Sequence, residues 1–137
     1  GNHSVSDEQM AQAETLLSAI GETVRLDDET QMDAVTAVSG SGPAYVFHLI
    51  ETLAAAGAAE GLPPALSARL ALATVAGAGA LAQAADETPD QLRVNVTSPG
   101  GTTQAALEVL MDDQAGFPPL LARAVAAAAR RSRELRS

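Results

Sequence analysis

The sequence contains no cysteine and no tryptophan, and one tyrosine and two phenylalanines make up its whole aromatic content, 2% of 137 residues. Without cysteine there is no disulfide framework, no thiol nucleophile and no thiolate metal site. His3 and His48 lie too far apart for ligand spacing, so no metal is expected. Lysine is absent as well. The eight basic residues are all arginine, and with seventeen acids they leave a net charge of −9. That balance lacks the basic stripe nucleic acid requires, and it argues against this stretch holding a phosphate-rich cofactor by itself. The one basic run, Arg130, Arg131, Arg133 and Arg136, reads as a solvated last helical turn favoured by the helix dipole. No signal peptide is visible. The uncharged run Leu70 to Ala85 is mostly Ala and Gly, too short and too weakly apolar for a bilayer span. A soluble, cytoplasmic protein with no membrane or nucleic-acid partner is expected.

What the chain has in quantity is alanine, within a hydrophobic share of 47%. Alanine loses no side-chain entropy on entering a helix and is the best helix former. A core of Ala, Leu and Val lets helices approach closely, so the expected class is all-α.

Ser6-Asp7-Glu8-Gln9 has the form of a capping box. Met10, Ala13, Leu16, Leu17 and Ile20 follow at helical spacing, and Gly21 is expected to stop that helix as a left-handed cap. Glu22 to Leu26 alternates polar and apolar residues as a half-buried strand does. One short strand cannot stand alone. Residues 1–28 therefore read as the last helix and strand of a preceding α/β domain, and residues 29–137 as a separate helical domain.

In that second part a helix is expected from about Glu29 to Val38, with Met32, Val35 and Val38 on one face. Ser39-Gly40-Ser41-Gly42-Pro43 interrupts it, and Pro43 suits the first turn of the next helix, which runs to about Glu60. A long third helix spans roughly Pro64 to Ala85, with Ala76, Ala80 and Ala84 as a small-residue stripe beside Gly77. A helix apolar all round is normally buried all round. A chain this short hardly encloses one alone, so a partner chain is the simplest cover. Thr88-Pro89-Asp90-Gln91 reads as a second capping box opening a short helix. Another helix follows Thr103, and the last begins near Pro118 or Pro119.

Two segments could carry chemistry. Ser98-Pro99-Gly100-Gly101-Thr102-Thr103 opens a helix whose first N–H groups lack internal partners and carry partial positive charge. Two glycines allow close approach to the backbone, and Ser98, Thr102 and Thr103 add hydroxyl donors. A carboxylate fits such a site, yet spacing alone leaves a ligand-free capped turn equally open. Ser39 to Ala44 follows a helix and lacks the third glycine of a dinucleotide fingerprint, so a tight helix–helix connection is the better reading there.

These same stretches carry a resemblance. Asp33-Ala34-Val35-Thr36-Ala37-Val38-Ser39-Gly40-Ser41-Gly42-Pro43-Ala44-Tyr45 and Val96-Thr97-Ser98-Pro99-Gly100-Gly101-Thr102-Thr103 resemble the signature segments of pyrroline-5-carboxylate reductases. The Gly61-Leu62-Pro63 turn and the closing Arg131-Ser132-Arg133-Glu134-Leu135 also fit, so the resemblance covers essentially the whole chain. It implies reduction of the cyclic imine pyrroline-5-carboxylate to L-proline with NADP or NAD as the cofactor, bound mainly by a nucleotide-binding Rossmann domain of which residues 1–28 keep only the last helix and strand, with residues 29–137 as the helical dimerisation and substrate-binding domain. It implies a homodimer, in a family whose dimers also form rings. By the match, Ser98, Gly100, Gly101 and Thr102 hold the carboxylate. Thr103 faces the ring nitrogen as the catalytic residue. Asn95 touches substrate or nicotinamide, and Asp86 or Glu87 falls near an acidic position close to the substrate. The rival readings are a purely structural helical dimerisation module with no ligand site, and another two-domain oxidoreductase acting on a hydroxy acid.

Overall fold

A computed structural model describes residues 5–136; His3 lies outside them. The first helix, α1 (Asp7–Ser18), opens on the expected reciprocal box: Ser6 Oγ accepts the Gln9 N–H at 3.3 Å and Gln9 Oε1 accepts the Ser6 N–H at 3.0 Å. Its end departs from expectation. Gly21 does not adopt a positive φ; the N–H groups of Ala19 and Ile20 instead donate to Leu16 and Leu17, tightening the last turn without a left-handed cap. Residues 22–26 form no strand, and none forms among the described residues. The segment has no neighbour to complete a ladder, which is the physical condition for a strand. It folds back along α1, with Ser18 Oγ 3.2 Å from Thr23 Oγ1, leaving a shallow hollow lined by Met10, Leu17, Val24 and Met32.

From Asp28 the backbone is helical in three successive forms. Asp28 Oδ1 accepts the Thr30 N–H at 2.8 Å and starts a 3-10 turn, Glu29–Gln31. An α-helical turn follows, α2 (Met32–Val35), and then a π-helical turn, Thr36–Gly40, closed by the Ser41 N–H on the Thr36 carbonyl at 2.8 Å. The buried positions are Asp33 and Ala37, one helical turn apart. Met32 and Val38, expected on one face with Val35, are exposed, because the packed side of the segment is the one bearing the acid. Next is α3 (Gly42–Ala59), with Pro43 in its first turn. Tyr45 on α3 donates its hydroxyl to the Ala37 carbonyl at 3.1 Å, which fastens the π turn to the helix after it.

Helices α3 and α4 (Pro64–Ala84) form the main hairpin. Gly61, at φ +98°, ends α3 in a Schellman arrangement: the Leu62 N–H donates to Gly57 and the Gly61 N–H to Ala58. The helices approach closely at Gly57, where a Cβ would collide with Ser67 Oγ. That hydroxyl donates to the Ala54 carbonyl at 2.6 Å, so the buried Ser67 is satisfied across the hairpin. Beyond Ala71 the cover stops. Leu72, Ala76, Ala80 and Leu81 all face solvent in the single chain. At 21 residues, with a mean hydropathy of 1.5 over its best 18-residue stretch, α4 is longer and more apolar than its uncharged run suggested, enough by length and composition to cross a bilayer.

Two shorter helices, α5 (Pro89–Asn95) and α6 (Thr102–Leu110), project from the hairpin, and α7 (Phe117–Arg136) returns to pack on α2 and the π turn. The expected capping box at Thr88 does not form. The Thr88 hydroxyl instead holds the Asp90 carboxyl below the usual aspartate range, and Gln91 Nε2 reaches Asn95 Oδ1 at 2.8 Å. The arginine run is not simply solvated either. Arg136 pairs with Asp33 at 3.0 Å and Arg131 with Glu134 at 3.1 Å.

The protomer is open. A compact 13.9 kDa monomer exposes about 6,700 Å², whereas this chain exposes 10552 Å². Ala37 and Ala71 are the only hydrophobic residues counted as buried among those described. A fold with so little interior is completed by other protein surface.

Candidate functional site

The turn between α5 and α6 gathers the residues expected to act. Asn95 closes α5, and Thr97 sits just beyond it with its hydroxyl on the Arg93 carbonyl at 2.6 Å. The chain then reverses through Ser98 and Pro99 to Gly100, whose φ of +69° is the left-handed conformation that favours glycine. Gly101 is the N-cap of α6 in extended conformation, with no side-chain cap. A Cβ on Gly101 would stand 3.0 Å from the Ser98 carbonyl oxygen, tighter than ordinary packing allows. Gly100 is therefore favoured by the backbone of the turn, while a side chain at Gly101 would need Ser98 to shift by a few tenths of an ångström.

The donors at this helix start divide into two sets. The Gly101 N–H is bonded to the Ser98 carbonyl at 3.0 Å, and the Gly100 N–H to Gln104 Oε1 at 2.7 Å. The N–H groups of Thr102, Thr103 and Gln104 belong to the first turn, which has no intrahelical acceptors for them. The exposed hydroxyls of Ser98, Thr102 and Thr103 stand in the same short stretch. Such an arrangement can take two anionic oxygens at a positive helix end and place one more hydroxyl donor beside them.

Asn95 shares the turn, but its side-chain oxygen already accepts from Gln91. Asp86 and Glu87 are exposed in the connection between α4 and α5. His48 Nδ1 lies 3.1 Å from Glu51 Oε2, and no cluster of metal-ligating side chains occurs among the described residues. The Ser39 to Pro43 stretch is a helix junction in which the Ser41 N–H is bonded to the Thr36 carbonyl. Two hollows of the surface lie along α1, and none of their lining residues belongs to the 98–103 turn.

Two features escape the sequence reading. Gln104 folds back on Gly100 and is held there by Glu108, with Gln104 Nε2 donating to Glu108 Oε1 at 3.3 Å; the spacing of four along one helix face was the available signal. Asp33, 6% exposed, accepts the Ser132 hydroxyl at 2.8 Å and faces Arg136. An acid in an apolar stretch hinted at a buried partner without saying which.

Residues 29–135 match the family model described as pyrroline-5-carboxylate reductase dimerisation. Pyrroline-5-carboxylate reductases of Synechocystis and Pseudomonas aeruginosa are each 48% identical over 134 residues, covering 98% of this chain and 49% and 48% of their own lengths. Among solved structures, a pyrroline-5-carboxylate reductase of Coxiella burnetii superposes with a TM-score of 0.91 at 37% identity, over 98% of this chain and 49% of that one. The pyrroline carboxylate reductase of Plasmodium falciparum, solved with NADP bound, gives 0.83 at 34% identity, over 99% of this chain and 51% of that one. The chain thus spans about half the length of the relatives it matches, and it belongs to the pyrroline-5-carboxylate reductase dimerisation family.

Proposed function

We propose that this chain is the dimerisation and substrate-binding part of an enzyme that reduces pyrroline-5-carboxylate to L-proline in the cytoplasm. The observation that supports it most is the α6 helix start, where unpartnered amides and three hydroxyls stand in the Ser98–Thr103 sequence. The first-turn amides of Thr102 and Thr103, with the Ser98 and Thr102 hydroxyls and the Gly100 N–H once Gln104 moves off it, hold the substrate carboxylate. Each charge-assisted bond contributes roughly 1.5–3 kcal/mol. With the carboxylate fixed, the ring nitrogen lies within reach of the Thr103 hydroxyl. NADPH or NADH supplies the hydride for the imine carbon. By the family resemblance its phosphates are held mainly by the nucleotide-binding domain, with Asn95 of this chain near the substrate or nicotinamide. The chain's part is to orient the ring and to offer a hydrogen bond where electron density gathers on nitrogen.

The dimer belongs to the same reading. The uncovered length of α4 is closed by a second copy, whose helices need no bilayer to bury it. A structural module with no ligand is the second reading, and one observation favours it: the Gly100 and Gly101 amides are already bonded within the turn. Titration of the isotope-labelled protein with L-proline separates the two. Amide shifts confined to residues 98–104 support the carboxylate site, and shifts scattered elsewhere or absent support the bare module.

A further inference from the structure

The side chain on the Gly100 amide is itself a stand-in for a ligand. Gln104 Oε1 accepts the Gly100 N–H at 2.7 Å, the distance and atom type a carboxylate oxygen would present. Its orientation is set from the other side. Glu108 can only accept, and its Oε1 lies 3.3 Å from Gln104 Nε2, so the amide group faces Glu108 and the oxygen is turned back to the helix start. The left-handed Gly100, at φ +69°, aims its N–H to meet it. Gln104 and Glu108 are both solvent-exposed, so no packing holds the pair in place.

We propose that Gln104 is a displaceable cap that competes with the ligand carboxylate for the Gly100 N–H and so sets the affinity for carboxylate ligands. This rests on the reading of the 98–103 turn as the carboxylate site and assigns the residue that tunes it. A charged acceptor bonds an N–H more strongly than a neutral amide does, so an arriving carboxylate displaces Gln104 into water. The bond it replaces is subtracted from the affinity, and on departure of the product Gln104 closes the site again. Glu108 is a positioning residue in this account: it acts only through the Gln104 amide.

The test is L-proline titration of the wild-type chain, Gln104→Ala and Glu108→Ala, read from amide shifts, with prolinamide as the probe lacking a carboxylate. Gln104→Ala should bind L-proline about three- to tenfold more tightly, the equivalent of one net hydrogen bond, with prolinamide unchanged. Glu108→Ala should give a smaller gain of the same sign. Unchanged or weaker proline binding by Gln104→Ala, with shifts still centred on residues 98–104, would overturn the cap alone and make Gln104 a brace for the turn. Wild-type shifts centred elsewhere, or none, would remove the carboxylate site and the cap together.

Discussion

Asp33 and Ser132, ninety-nine positions apart, share a 2.8 Å hydrogen bond that fastens the end of the chain to the helix preceding the π turn. The second carboxylate oxygen faces Arg136, one helical turn further along α7, at 3.0 Å. The acid is buried while the arginine remains largely exposed, so the hydroxyl bond contributes more per contact than the screened ion pair. Asp33→Ala should lower stability by about 2–3 kcal/mol, and Asp33→Asn, which keeps an acceptor for Ser132, by about 1 kcal/mol. Denaturant midpoints at fixed protein concentration measure both. Equal midpoints for Asp33→Ala and wild type would show that α7 is held by apolar packing alone.

The open surface of α4 leads to a second expectation. Ala80 faces solvent in the single chain and lies in the stripe that a second copy should cover. Ala80→Glu would then bury an unpaired charge and should prevent association or folding. Sedimentation of the unmutated chain at micromolar concentration should show a dimer. A stable, well-folded monomer would contradict it.

Turn carboxylates give the acid dependence. Asp112 accepts the N–H groups of Ala115 at 2.7 Å and Gln114 at 2.9 Å, and these bonds hold its carboxyl below the usual aspartate range. Asp28, through the Thr30 N–H, and Asp90, through the Thr88 hydroxyl, are lowered likewise. A folded-state pKa below the unfolded one means stability that is present above the unfolded value. It is lost as the pH falls through the folded one. Stability should therefore decline as the pH drops below about 4, and Asp112→Asn should flatten that decline. An identical acid profile for Asp112→Asn would show that its turn does not unfold with the rest.

Much of this architecture was legible because helices announce their own ends. Ser6 with Gln9, Pro43, Gly61 and Pro64 mark starts and stops through local backbone chemistry, and the structure follows them. The failures have a common cause. Residues 22–26 alternate correctly for a strand, but a strand needs a neighbour, and local sequence cannot supply one. Thr88 fits a capping box by spacing, yet its hydroxyl goes to Asp90, a competition that spacing does not reveal. At the candidate site the motif located the turn and its glycines. The partner of the Gly100 amide was not legible, since Gln104 could equally have pointed to solvent. Asp33 stood in the signature segment from the outset, while the identity of Ser132 as its partner depends on how α7 returns.

The reading of the 98–103 turn as a substrate site is tested most directly by Thr103→Val and Thr102→Val in a chain that also carries a nucleotide-binding domain. Valine keeps the threonine shape and removes its hydroxyl. If Thr103 donates to the ring nitrogen in the transition state, its loss should cost about 2–4 kcal/mol, roughly 10²–10³ in turnover. Thr102→Val should do less, because its backbone N–H survives the change. Turnover and substrate affinity measured for the pair decide the matter: a large, selective loss in Thr103→Val is the expected result. Near-wild-type and equal values for both variants would contradict it and leave the turn a structural cap.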